Sequence, residues 1–336
     1  VIAQGARSLK SKISPVAEKH NRPLRAIGFL IAAIFVYSLH DVIIKWISGK
    51  YPVHEIVLIR SSFAIIPILV IARLEGGFHL LHTTHYGLHI IRAFLMFASF
   101  MTYYLALAAL PLAETVSLFF SAPLFITILS VSVLGEKVEL GGWLAVLAGF
   151  LGVMVMLQPG SKMVNPAALL ALISAFLYAT GSILTRRLGQ TESGVALAFY
   201  PIIAYILFST IVCMTLIHST AAQQSHPSAA FLFRGWQVPD RSDLFLLILL
   251  GLMAALGFYF LSQAYRLASP STIAPYEYTA VPLNVVLGYI FWKDILGPQS
   301  IIGIMLIVGS GLYIFGSKKL LANRYLSSFY KIKIRK

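Results

Sequence analysis

Ten stretches of the chain are apolar for roughly the length a helix needs to cross a bilayer, and few folds accommodate that pattern. A spanning helix takes about 20 mainly apolar residues, and the stretches fall near residues 26–47, 53–72, 88–109, 112–134, 141–158, 166–188, 194–217, 244–267, 271–292 and 299–317. Composition agrees: 58% of the 336 residues are hydrophobic and 11% charged, about half the charged share of an ordinary soluble domain. The alternating ten-residue segments of a membrane barrel are missing, so the backbone has to satisfy its hydrogen bonds within helices. The expected fold is an all-α membrane protein of ten transmembrane helices.

The net charge of +14 does not point to nucleic acid, because it sits at the two ends. Residues 1–25 hold six Lys/Arg and one Glu, and residues 318–336 hold seven Lys/Arg and no acid. Such tails are a topological signal. With ten spans both termini share one side. Placing them in the cytoplasm puts Arg73, Lys137, Arg186, Arg187 and Arg266 there too, and leaves Lys50, Lys162, Arg234, Arg241 and Lys293 opposite. The polar first 25 residues carry no cleavable signal peptide pattern. The single Cys213 lies in an apolar run and has no internal disulfide partner.

The chain repeats itself. FVYSLHDVIIKWI at 35–47 aligns with FLYATGSILTRRL at 176–188, and LPLAETVSLFFSAPL at 110–124 aligns with SPSTIAPYEYTAVPL at 269–283. The expected domains are a basic tail (1–25), a first repeat (26–158), a second repeat (159–317) with an exposed polar connector at 218–243, and a second basic tail (318–336). Each repeat has five spans, an odd number, so the second copy must insert upside down, as in secondary transporters whose halves rock around a midplane site.

LPLAETVSLFFSAPLFITILSVSVLGEKVELGGWLAVLAGFLGVMVMLQPG and its counterpart RLASPSTIAPYEYTAVPLNVVLGYIFWKDILGPQSIIGIMLIVGSGLYIFG resemble the paired EamA repeats of the drug/metabolite transporter superfamily. The resemblance runs from about residue 26 to 317. It implies a ten-helix carrier of the inner membrane, with a cavity built mainly from the first, third, fourth, sixth, eighth and ninth helices. APYEYTAVPLNVVLGYIFW is most similar to the branch of bacterial riboflavin-type and S-adenosylmethionine-type carriers. Cargo varies widely across the superfamily, so the resemblance does not fix the substrate.

Ionisable groups within spans are costly and usually face a partner or a wet cavity. Tyr37, Asp41 and Lys45 share a face of the first helix, with His40 beside it. Two readings stand there: an intrahelical Asp41–Lys45 pair, or a cavity lining that Tyr178, Ser182 and Arg186 repeat in the second half. Arg60 is too deep to snorkel and needs an anion: Glu277, Glu114 or a substrate. Arg92 is near enough to an interface to snorkel, and Glu55 and Arg266 to reach headgroups. In PYEYT, Glu277 stands between Tyr276 and Tyr278, suited to a cation or flat ring. Glu277 and Asp41 are the candidate proton-coupling groups, His40 a candidate relay, and Glu114 and Glu277 candidate groups of opposite gates. Tyr104 completes the set of candidate substrate contacts.

The histidines of FHLLHTTHYGLH, at 79, 82, 85 and 89, lack a deep acid nearby and are read as a polar connector, so no metal or cofactor is expected. Gly141, Gly149, Gly152, Gly303, Gly309 and Gly311 are read as packing positions. No catalytic motif is present. The expected function is secondary active transport of a small cationic, amino-acid-like or heteroaromatic metabolite by alternating access, coupled to a proton or an exchanged metabolite. The alternatives are an anionic cargo read by Arg60 and Arg92, or a passive channel. A second copy of the chain is a candidate partner.

Overall fold

The computed structural model describes residues 23–134, 140–157, 165–188, 192–216, 226–267 and 276–313. The basic tails and Pro270 and Pro275 lie outside the described residues, as do the side chains of Arg186, Arg187 and Arg266.

Among the described residues the chain is helical, without strands. In order the helices are α1 (Pro23–Ile47), α2 (Val53–Glu75), α3 (Tyr86–Ala109), α4 (Leu112–Phe119), α5 (Ala122–Leu134), α6 (Leu140–Leu157), α7 (Pro166–Leu188), α8 (Gly194–Leu216), α9 (Pro227–Phe233), α10 (Arg241–Leu267) and α11 (Ala280–Trp292), then α12 (Pro298–Tyr313). Proline opens α1, α7, α9 and α12, where a missing N–H costs nothing and the fixed φ suits the first turn. Pro111 follows α3 and divides it from α4. Lys293, in the left-handed region at φ 58°, closes α11.

Among the described residues seven segments are long and apolar enough to cross a membrane: Leu24–Ile47, Val53–Glu75, Tyr86–Ala109, Leu112–Val133, Pro166–Thr185, Gly194–Leu216 and Arg241–Leu261. Leu140–Met156, Ala280–Trp292 and Pro298–Tyr313 are shorter apolar helices. Large apolar side chains such as Ile66, Ile90, Leu147, Leu207 and Met305 project outward, which suits lipid and not water. The chain is a multi-pass membrane protein.

The fourth apolar stretch is not one helix. It breaks between α4 and α5 at Phe120 and Ser121. Pro123 cannot donate to the helix ladder, and the Ser121 hydroxyl takes up the Leu118 carbonyl.

Helices from the two ends of the sequence interleave. α1 packs on α10 and α3 on α7, α2 on α8, and α4 on α11. Gly152 and Gly303 bring α6 and α12 so close that a side chain on either would strike the other helix's backbone. Gly309 departs from the packing expectation, since nothing lies within reach of it.

The 218–243 connector, expected to be exposed, is exposed at 236–238 and 240–242 but is anchored to the bundle elsewhere. α9 lies against α3, with Phe231 1% exposed and the Ser228 hydroxyl donating to the Leu105 carbonyl at 2.6 Å. Arg234 donates to the carbonyls of Ser48 (2.9 Å) and Tyr51 (3.4 Å). Glu55 does not reach headgroups: it is fully buried and accepts from the Gln237 backbone N–H at 3.0 Å. The connector caps one end of the bundle because that end offers unpaired carbonyls and a buried carboxylate.

Candidate functional site

α2 carries Arg60 into the middle of the bundle, where it is 4% exposed. Its guanidinium carbon lies 5.4 Å from the centre of the Tyr104 ring, 5.7 Å from Phe100 and 5.9 Å from Tyr205. α3 supplies the first two rings, four residues apart and so on one helix face, and α8 supplies the third. Cation–π attraction is strong when the cation is stripped of water, as here. One nitrogen, Nη1, lies 3.3 Å from Nε2 of His40, whereas Nε and Nη2 are buried with no hydrogen-bond partner. The expected ion pair of Arg60 with Glu277 or Glu114 is not formed. Glu114 instead accepts a hydrogen bond from Ser300 of α12.

His40 links Arg60 to a carboxylate, its Nδ1 lying 3.6 Å from Oδ1 of Asp41. The Tyr103 hydroxyl donates to Oδ2 of Asp41 at 2.7 Å. Four side chains therefore run in sequence through the interior: Arg60, His40, Asp41, Tyr103. The expected Asp41–Lys45 pair is not formed either. Lys45, at the end of α1, donates to the carbonyls of Leu107 and Leu110. Those carbonyls lie where α3 ends and have no helical donor of their own, so a cation there is favoured twice, by hydrogen bonds and by the helix dipole.

Arg92 does not snorkel to an interface. It is 4% exposed, its Nε donating to the Thr185 hydroxyl of α7 at 2.6 Å and its Nη1 to the Leu197 carbonyl of α8 at 3.0 Å. It ties α3 to the two helices it packs against.

The remaining candidates come from the later part of the chain. The Tyr178 ring on α7 lies 5.2 Å from Phe119 at the end of α4, and its hydroxyl is close enough to Glu277 and Arg92 to feel both charges. Tyr37 is near Tyr178, Tyr104 and Arg60. Tyr278 is buried and lies 5.3 Å from the Phe120 ring at the α4–α5 break, while Tyr276 is exposed. The structure thus gathers His40, Asp41, Arg60 and Tyr104 into one interior cluster, with Tyr37, Tyr178 and the half-buried Glu277 within electrostatic reach of it or of one another. It leaves Tyr276 outside and commits Arg92 and Glu114 to bonds between helices.

Sequence reasoning missed Phe100, Tyr103, Tyr205 and the Asn284–Ser38 hydrogen bond (2.9 Å) that joins α11 to α1. Tyr103 adjoins Tyr104 in sequence, but nothing local marks Tyr205 or Phe100 among so many apolar aromatics. The histidine segment also differs from expectation. It forms a 3-10 turn at Phe78–Leu81, a short loop and the start of α3, which holds His89, and an acid is nearby. Glu192 lies 3.2 Å from Nδ1 of His85 and 3.7 Å from Nε2 of His89, and accepts from Thr83 at 2.6 Å. Among the described residues no group of three or more His, Cys, Asp or Glu is placed to hold a metal ion.

Fold and site together define a polytopic helical membrane protein whose charges and aromatic rings meet between its spans. Comparison with known proteins makes this specific. The chain belongs to the EamA-like transporter family, whose profile matches residues 24–158 and 165–316. It is 27% identical over 300 residues to the riboflavin transporter of Vibrio cholerae, covering 88% of this chain and 94% of that one. It is 27% identical over 304 residues to the S-adenosylmethionine uptake transporter of Rickettsia conorii (90% and 96%), and 25% identical over 295 residues to the pseudopaline exporter CntI of Pseudomonas aeruginosa (87% and 97%). A crystal structure 18% identical in sequence has the same fold, with a TM-score of 0.61 over 86% of this chain and 96% of that one.

Proposed function

We propose that the protein is a secondary carrier of the cytoplasmic membrane that moves a small organic metabolite with a flat aromatic or heteroaromatic part. Two inverted five-helix halves, ten spans in all, alternate access to the interior cluster, with both termini in the cytoplasm. The observation that carries this reading is the buried cluster itself. The first half contributes its charged groups and most of its rings, and α8 of the second half adds Tyr205; such groups are expensive inside a membrane unless they serve a pathway. The broken α4–α5 segment supports it, because discontinuous helices form the binding sites of many carriers. So does the packing order, in which α1 on α10 mirrors α3 on α7, as a twofold relation between halves requires.

The relatives' names cover uptake and export and chemically different cargoes, so they support transport of a metabolite without choosing one. Glu277 near Tyr178 supports a cationic or zwitterionic cargo; the unpaired donors of Arg60 favour a second reading, an anionic group. The test is counterflow. Proteoliposomes preloaded with a defined mixture of aromatic and heteroaromatic metabolites should transiently accumulate an external isotope-labelled member above its equilibrium level. Flux without counterflow would make the protein a channel, and chemical conversion of the cargo would make it an enzyme.

A further inference from the structure

The geometry points to Arg60 as the docking point for a carboxylate group of the cargo, with a flat ring held among Phe100, Tyr104 and Tyr205. This rests on the carrier reading and narrows its cargo to organic anions and zwitterions that carry an aromatic body.

Three observations lead there. First, no carboxylate among the described residues forms an ion pair with Arg60, whose only hydrogen-bond contact is His40. A guanidinium stays charged at any physiological pH, so burial cannot be relieved by losing a proton, as it can for lysine. Second, the two unpartnered nitrogens, Nε and Nη2, form one edge of the planar fork. That edge matches the two oxygens of a carboxylate in a bidentate pair. Third, the Tyr104 hydroxyl, 1% exposed, is also without a partner. Its ring lies against the guanidinium. Two groups left unpaired in adjacent side chains are costly to the empty protein and are explained together by a ligand that bonds both.

The comparison with Arg92 sharpens the assignment. Both arginines are equally buried, but Arg92 directs its donors to Thr185 and Leu197. An anion reading that enlists both treats a structural tie as a ligand. Of the two, Arg60 is the one with guanidinium nitrogens buried and without a partner.

The test uses the purified full chain in detergent, thermal unfolding as readout, and matched probes: benzoate, 4-hydroxybenzoate and indole-3-acetate against their uncharged amides, with acetate and inorganic phosphate as anions lacking a ring. A ligand that binds only the folded state raises its Tm. The expected result is stabilisation by at least one aromatic carboxylate and by none of the amides. Arg60→Gln should weaken that binding by about tenfold to hundredfold, the range for a charged hydrogen bond. Stabilisation by phosphate or acetate alone would overturn the aromatic part of the proposal. No stabilisation by any anion, or equal stabilisation by the amides, would overturn the whole.

A second variant guards against loss of folding. Arg60→Met removes an unpaired buried charge while keeping apolar bulk, so if the arginine is kept for cargo the empty protein should unfold at the same Tm or higher. A misfolded or markedly less stable Arg60→Met would show that Arg60 holds the helices together, and the proposal falls. The two readings fail separately. Cations or neutral rings that bind and counterflow would leave the carrier intact without this site, whereas anions that bind through Arg60 but never cross would leave the site without the carrier.

Discussion

Arg92, buried, and Glu277, half-buried, show how differently two charges within the bundle can serve. Arg92 bonds to α7 and α8 through a hydroxyl and a carbonyl, and each hydrogen bond from a charged donor is worth roughly 1.5–3 kcal/mol. Arg92→Gln should therefore lower the unfolding temperature and leave the preference among bound compounds unchanged; an altered preference at wild-type stability would move Arg92 into the binding site. Glu277 is half-buried just ahead of α11, close enough to Tyr178 of α7 for its charge to be felt there. If it couples transport to protons, Glu277→Gln should stay folded and lose uptake driven by a pH gradient while retaining exchange of labelled for unlabelled cargo. Gradient-driven uptake at the wild-type rate in a folded variant would remove Glu277 from coupling.

At the scale of elements, the segment around Thr83–His89 and the start of α8 form a latch at one end of the bundle. The Ser193 hydroxyl donates to the Leu80 carbonyl at 2.6 Å and the Tyr200 hydroxyl to the Leu81 carbonyl at 2.9 Å, around the Glu192 contacts with Thr83, His85 and His89. Burial works against the charge on Glu192, but the bonds to Thr83 and His85 prevail and hold its carboxyl below the ordinary glutamate value. A carboxyl lowered by folding stabilises the fold above its unfolded pKa, and that contribution is lost as pH falls through the lowered value. Wild type should therefore unfold at a higher temperature than Glu192→Gln at neutral pH, and the gap should close on acidification below the carboxylate range. A gap independent of pH would mean that shape, not charge, holds the latch. At the other end Lys50 and Tyr51 meet Asp243, at 3.0 and 2.8 Å. Neither latch was legible in the sequence. Each joins a loop or helix end to a partner far along the chain, and local patterning carries no record of such pairings.

For the whole molecule, what could be read from the sequence was what acts locally: the apolar helices, seven of them long enough to span among the described residues, Tyr37 and Asp41 on one helix, and the duplication of two motifs. The carboxylates offered as partners within the protein, Asp41 for Lys45 and Glu277 or Glu114 for Arg60, are not the groups these cations meet, for one physical reason. A charge in a span will take any buried acceptor or π-face that the fold brings near, and which one it meets is decided by how helices from the two repeats interleave. That interleaving yields the last prediction. Thr83 and Glu192 lie at one end and Lys50 and Asp243 at the other, and each pair joins the first repeat to the second. If access alternates, one end must part while the other holds, so tying either end should stop turnover. Cys213 is buried and can be replaced with alanine to give a background free of thiols. In that background Thr83→Cys with Glu192→Cys, or Lys50→Cys with Asp243→Cys, can be bridged by a short reducible thiol cross-linker. Either bridge should reduce counterflow to background, and reductant should restore it. A protein bridged at one end that still exchanges cargo at the unbridged rate would not need that end to open, and rocking of the two repeats would be the wrong mechanism.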